Sequence, residues 1–239
     1  GSVKTGIHRQ IRTLSLEYLF IGGHPMTGSE RYGYTNAKAR LLENAYYILT
    51  PTETVSSEKL SFYKNLVSSM GAIPLVLSYE QHDYVTAAIS HLPHVIAASL
   101  VNLVKDTDSR EGIMKMIAAG GFKDITRIAS SSSQMWQQIC LTNTENISSL
   151  LNTYIDTLCR IKAQIDTRSE QEIYDFFNNA RLYRDSFLEV SSGPIKKVFS
   201  IQVDIADEPG AIASIATMLA LHGINIKNIG ITHNRELEE

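Results

Sequence analysis

The 239-residue sequence has little of what marks a secreted mini-domain or a polymer-binding protein. It contains only two cysteines, Cys140 and Cys159. Both fall in amphipathic helical patterns without metal-ligand spacing, which excludes a disulfide framework and leads us to expect buried free thiols. The net charge is −3, and the basic residues are scattered rather than clustered, so neither nucleic acid nor an anionic membrane surface is an expected partner. Long apolar runs are missing too. The most apolar helical stretch, Leu92 to Val104, is interrupted by Pro93, His94 and Asn102 and falls short of the ~20 residues that span a bilayer. No stretch has the form of a signal peptide or membrane anchor, and the expected location is the cytoplasm. The Asn146-Ile147-Ser148 glycosylation triplet is discounted for that reason. There is no G-x-G-x-x-G turn either, because Gly22-Gly23 and Gly120-Gly121 lack its spacing. Repeats and low-complexity segments are also lacking.

What is present is a 44% hydrophobic chain, long enough for one or two domains of about 150 residues each. Residues 1–79 alternate strand and helix. Leu19-Ile21, Ala45-Leu49 and Ile73-Leu77 are short apolar runs suited to buried strands, and Ser57-Met70 is helical, with Leu60, Tyr63, Leu66, Val67 and Met70 on one face. Residues 80–191 carry long helical patterns. In the first, Gln81 to Val104, Pro93 should bend the helix and free a carbonyl. A second, Glu145 to Ile165, places Ile147, Leu151, Tyr154, Leu158, Ile161 and Ile165 at alternating steps of four and three, a helix-packing seam. A third, Ser169 to Val190, adds Ile173, Phe176, Phe177, Ala180, Tyr183 and Phe187. Such seams fill either a monomeric bundle or an intersubunit core, and periodicity does not separate the two. Ser191-Ser192-Gly193-Pro194 is a breaker. Beyond it, residues 197–239 form a β-α-β pattern: strand Val198–Ile205, turn Asp207-Glu208-Pro209-Gly210, helix Ala211–Leu221 and strand Ile224–Ile231.

The most informative stretch for chemistry is Phe20 to Glu30, FIGGHPMTGSE. Phe20-Ile21 end an apolar strand, Gly22-Gly23 permit a tight turn, and Pro25 stops a helix from forming through His24. An imidazole held there can accept a proton from a substrate hydroxyl near neutral pH. Two further histidines, His91 and His94 in SHLPH, lie one helical turn apart. No matching third ligand accompanies them, so a metal site is not expected. GGFKDITRIA contains Arg127, whose planar fork suits a carboxylate; a helical Asp124–Arg127 pair is the plainer reading and worth only ~0.2–0.5 kcal/mol.

Together GSVK at the start, GGHPMTGSE, ENAYYILTP, SHLPH and GGFKDITRIA closely resemble prephenate dehydrogenase, and DEPGAI with GINI resembles the first half of an ACT domain. The resemblance implies three parts. Residues 1–79 would be an α/β segment, the end of a Rossmann-type dinucleotide-binding domain. Residues 80–191 would be an all-α dimerisation and substrate domain, and residues 197–239 a partial α+β ACT segment, with both ends of the chain truncated relative to the family. It further implies oxidative decarboxylation of prephenate with hydride transfer to NAD in tyrosine biosynthesis, a homodimer, and tyrosine as a feedback inhibitor. By the same resemblance His24 is the catalytic histidine and Ser2 hydrogen-bonds near it, although Gly-Ser at a chain start also matches an expression scar. His94 would contact substrate with His91 in support, Arg127 would grip a carboxylate, and Glu30 and Asp124 would join Arg127 in an ionic cluster at the pocket entrance. Trp136 would be a core residue near the pocket. Asp207, Gly210 and Asn225 would be the effector-binding positions of the ACT-like turn. The sequence does not choose prephenate over arogenate, nor NAD over NADP, since the residue that reads the ribose would lie upstream of residue 1. A non-catalytic helical dimer carrying an amino-acid-sensing module is the alternative from another class. The joint presence of His24, His94 and Arg127 argues against it.

Overall fold

Three short strands, β1 (Ile21–Pro25), β2 (Tyr46–Pro51) and β3 (Ile73–Val76), pair into one sheet in the order β1-β2-β3. β2 and β3 are parallel and joined by helix α2 (Ser57–Ser69), whereas β1 is antiparallel to β2 with His24 opposite Ile48. The computed structural model describes residues 1–28, 34–187, 201, 203–205, 208–224, 226 and 229. The chain divides into two units, Gly1–Ile195 and Lys196–Glu239.

Helix α2 starts at Ser56, whose hydroxyl accepts from the Lys59 N–H. It ends at Gly71, where φ is +80° and the N–H groups of Gly71 and Ala72 bond the carbonyls of Ser68 and Val67. That double bond pattern requires a left-handed residue and turns the chain straight into β3. Val67 is fully buried against Leu49 and Ala72, with Leu60 and Tyr63 packed around them. Each such side chain stabilises the layer by roughly 1.5–3 kcal/mol. Leu66 and Met70, the outer members of the expected stripe, remain exposed.

The first strand departs from expectation. Leu19 closes a short 3₁₀ turn (Glu17–Leu19), and the strand itself runs through Gly22, Gly23 and His24. The glycines are therefore not a turn; they allow close approach on both faces. A Cβ on Gly22 would collide with the Thr50 hydroxyl and press on His8 and Lys4, and one on Gly23 would stand 2.9 Å from the Tyr47 and Tyr63 hydroxyls. Because side chains alternate across a strand, His24 shares the Gly22 face.

That face is covered by α1 (Thr5–Thr13) and α3 (Tyr79–Thr86). α3 opens with a capping box in which Ser78 and Gln81 exchange two 3.1 Å bonds. It continues through a π-helical segment, Ala87–His91, into α4 (Leu92–Thr107). Pro93 has no N–H to give and crowds the carbonyl four residues earlier, which accounts for a widened turn just before it. The uninterrupted run Tyr79–Thr107 is 29 residues and contains an 18-residue window with a mean hydropathy of 1.5, so by length and composition it is able to cross a bilayer, unlike the shorter stretch expected from Leu92–Val104. Here it buries His82, Asp83, Thr86 and His91, and it packs on α1, β2 and α8 as the central helix of its unit.

The remaining helices are α5 (Ile113–Ile117), α6 (Gly120–Thr126), α7 (Ser133–Thr142), α8 (Thr144–Asp166) and α9 (Glu170–Ser186). Ala87, Ile139 and Ile147 form a second core flanked by Trp136, Cys140 and Leu150. The cysteines are free, as expected. Neither is fully buried, however, since Cys140 is half-buried and Cys159 on α8 is exposed. The α8 seam buries Ile147 and Ile161 but leaves Leu158 and Ile165 exposed, and α9 buries no residue at all. In the second unit α10 (Ala211–Leu221) coincides with the expected helix. The described residues of the two flanking segments, 201, 203–205, 224, 226 and 229, join no β-ladder. The other positions of those expected strands, the Ser191–Pro194 breaker and the last residues expected in α9 lie outside the described residues.

Candidate active site

His24 reaches from the end of β1 to the buried start of α3. Its Nδ1 lies 2.7 Å from His82 Nε2, and His82 Nδ1 lies 2.7 Å from Asp83 Oδ1. The Asp83 carboxylate accepts from Nδ1–H of His82, and the bare Nε2 of that tautomer faces His24 as an acceptor. His24 then donates its Nδ1–H and keeps a lone pair on Nε2. His82 and Asp83 are completely buried, so no water competes for these bonds.

Asp83 is the hub of the arrangement. Besides His82 it accepts from the main-chain N–H of Lys4 at 2.7 Å, the N–H of Thr5 at 2.8 Å and the Thr5 hydroxyl at 2.6 Å. Helix α1 has no side-chain cap of its own, so Asp83 satisfies its first N–H groups from another element. Burial works to raise the Asp83 pKa, but the bonds from His82, Thr5 and Lys4 outweigh it and leave the carboxyl below its ordinary value. For His24 the balance falls the other way. Burial, with smaller electrostatic contributions from His82, Lys4 and His91, pushes it down to about 3, so its ring is neutral at pH 7.

The SHLPH histidines divide into two roles. His91 is buried and its Nδ1 accepts from Asn143 Nδ2 at 3.2 Å, while the same amide donates to the Asp83 carbonyl at 2.8 Å. Burial holds His91 down to about 4. His94 donates Nδ1–H to the Ser90 carbonyl at 2.8 Å and stacks on Trp136 with ring centroids 3.7 Å apart. Its Nε2 is thereby an acceptor while the ring is neutral, and burial lowers its pKa despite the Ser90 bond. Trp136 also meets His91 edge-on, and its buried Nε1–H has no acceptor among the described residues.

Ser2 sits two residues before Lys4, whose ammonium joins the carbonyls of Gly1 and Gly23, the residues preceding Ser2 and His24. No Ser2–His24 hydrogen bond occurs among the described residues. Arg127 starts a 3₁₀ turn (Arg127–Ser130) packed on α4, the helix of His94; Asp124 is exposed on α6. Glu30, Asp207 and Asn225 lie outside the described residues, while Gly210, at φ +95°, precedes α10. Sequence reasoning missed His82, Asp83, Thr5 and Asn143. The only local signal for the first two was a histidine and a carboxylate side by side in the first turn of a capped helix.

Two family descriptions match in succession: "Prephenate dehydrogenase, nucleotide-binding domain" over residues 1–75 and "Prephenate dehydrogenase, dimerization domain" over 78–179. The chain belongs to the prephenate dehydrogenase family. The family boundary falls between β3 and α3, so the His24–His82 bond joins its two domains. A prephenate dehydrogenase of Bacillus subtilis (strain 168) is 39% identical over 225 residues, 94% of this chain and 61% of the relative. The chain thus spans about three fifths of the curated relatives it matches. A crystal structure of prephenate dehydrogenase from A. aeolicus in complex with hydroxyphenyl propionate and NAD+ is similar with a TM-score of 0.73 and 33% identity. It covers 78% of this chain and 65% of that one. Synechocystis arogenate dehydrogenase is similar at TM-score 0.71 and 26% identity, over 78% and 67%.

Proposed function

We propose that this chain carries the substrate and proton-handling groups of an NAD-linked prephenate dehydrogenase, with His24 as the base. The observation that carries the reading is the 2.7 Å chain from His24 through His82 to Asp83, which together with the burial that keeps His24 neutral leaves its Nε2 available. As the substrate hydroxyl proton moves to Nε2, the ring becomes cationic, and its Nδ1–H bond to His82, backed by the Asp83 charge, strengthens at that moment. The C–H bond at the same carbon supplies a hydride, the ring carboxylate leaves as carbon dioxide, and its bonding electrons complete the aromatic ring. NAD, when bound, accepts the hydride. The residues of this chain bind substrate and move the proton.

Arg127 holds a substrate carboxylate through its fork, and Asp124 and Glu30 belong to the ionic cluster around it. His94 offers Nε2 to substrate, Trp136 offers its unpartnered N–H to a substrate oxygen, His91 holds Trp136 edge-on, and Ser2 bonds near the reacting hydroxyl. The exposed apolar residues of α8 and α9 support a homodimer through the helical domain, and cytoplasmic location fits a biosynthetic enzyme. The segment 197–239 is ACT-like, with tyrosine as effector at Asp207, Gly210 and Asn225. A desolvated imidazole relay has no use in a non-catalytic scaffold. The similarity to an arogenate dehydrogenase keeps arogenate as the second substrate reading.

In turnover assays of the full-length enzyme with prephenate and NAD, His24→Asn should lower kcat by ~10²–10⁴ with little change in KM. A variant keeping more than about a tenth of kcat would remove His24 from the chemistry. Comparing kcat/KM for prephenate and arogenate in the same assay decides between the substrates.

A further inference from the structure

A buried lysine takes no part in this reading of the site and yet bonds to the Ser2 segment, the His24 strand and Asp83. Lys4 is only 3% exposed. Its ammonium donates to the Gly1 carbonyl and the Gly23 carbonyl, each at 2.7 Å, and its own main-chain N–H donates to Asp83. Its aliphatic stem lies against the face of Gly22, where a Cβ would stand 3.4 Å from Lys4 Cδ. An ammonium is expensive to bury, and a lysine at this surface-proximal turn would ordinarily extend into water. Burial lowers its pKa, opposed by the hydrogen bond at residue 1 and by the Asp83 charge. The cost is offset by two carbonyl dipoles and one carboxylate, and those three acceptors belong to the Ser2 segment, the His24 strand and the His82 helix.

We propose that Lys4 is a positioning residue for His24: its ammonium clamps the Ser2 segment to the His24 strand while its N–H anchors Asp83, so base, relay and serine are held in one frame. The inference rests on the reading of His24 as the base, but the clamp itself is tested without turnover. The groups facing His24 are His82 from α3, His91 from the π segment and Lys4, with Asp83 behind His82. Lys4 is the fixed cation among them. Removing it must therefore loosen His24 and make its ring easier to protonate.

The experiment is a pH titration of ¹⁵N-histidine-labelled protein by NMR, with His24 assigned by its loss in His24→Asn. In Lys4→Met, which keeps the stem and removes the charge, the His24 pKa should rise by about one unit or more. Should Lys4→Met not fold, Lys4→Gln, whose amide still donates to a carbonyl, replaces it with the same expected upward shift. Replacing Lys4 by cysteine and aminoethylating the thiol restores an ammonium of similar reach; it should return the titration toward the wild-type value, with equally treated wild type as the control for Cys140 and Cys159. In turnover of the full-length enzyme, Lys4→Met should lose at least about tenfold in kcat with KM for prephenate nearly unchanged. A folded Lys4→Met or Lys4→Gln protein whose His24 titrates as in wild type overturns the proposal, whatever its activity. Failure of His24→Asn to affect kcat would instead overturn the reading beneath it.

Discussion

Two regions of the first unit handle burial in opposite ways. Around His24 the chain buries polar groups and satisfies them: Lys4, His82, Asp83, His91 and Asn143 are all hidden, and each has named partners. Along α8 and α9 it exposes apolar groups instead, with Leu158, Ile165, Phe177, Tyr183 and Phe187 open to solvent. Burying charge without partners is costly, and exposing a contiguous apolar face is costly too. The first region is complete within one chain because its polar groups answer one another. The second is open in the single chain, and a second copy of the helical domain is the cover we propose.

The sharpest way to break this contrast is Asp83→Ala. Four hydrogen bonds lose their acceptor in a site closed to water, and the N-terminus of α1 loses its cap, so stability should fall by about 3–5 kcal/mol in urea unfolding. A loss under about 1 kcal/mol would mean that water enters the site and the network is not closed. Phe177→Asp on α9 should act differently. Because Phe177 is already 63% exposed in the single chain, the variant should change monomer stability by less than about 0.5 kcal/mol while converting a dimer to a monomer in light scattering. An unaltered dimer would place the interface on another face.

The same contrast explains what the sequence disclosed. Helix α2 was legible because Leu60, Tyr63 and Val67 recur at helical spacing and pack against Leu49, and α10 was legible to its end residues. The seam of α8 was visible as a pattern, but which of its members are covered within one chain depends on neighbours that no period records. Gly22-Gly23 were misread as a turn. Their cause is tertiary: Thr50 and His8 on one face, Tyr47 and Tyr63 on the other, all supplied by residues distant in sequence. His24 stood out by its motif, whereas its relay did not, because His82 is 58 residues away and only the fold brings the rings to 2.7 Å. Lys4 was visible only as part of GSVK, since nothing local marks a lysine whose ammonium turns inward.

Protonation links this site to stability with a definite sign. The folded His24 pKa of about 3 lies below the ordinary value of 6.5, so the unfolded chain binds that proton first. The contribution of His24 to stability is therefore fully present above about pH 6.5 and is lost as pH falls from there toward 3, with His91 adding to the loss down to about 4. The most direct test of the central claim is the ¹⁵N spectrum of the His24 imidazole in wild-type protein at pH 7. The expected result is a neutral ring with the proton on Nδ1, a bare Nε2, and no titration until well below pH 5. A cationic ring at pH 7, or a neutral ring protonated on Nε2, would contradict it.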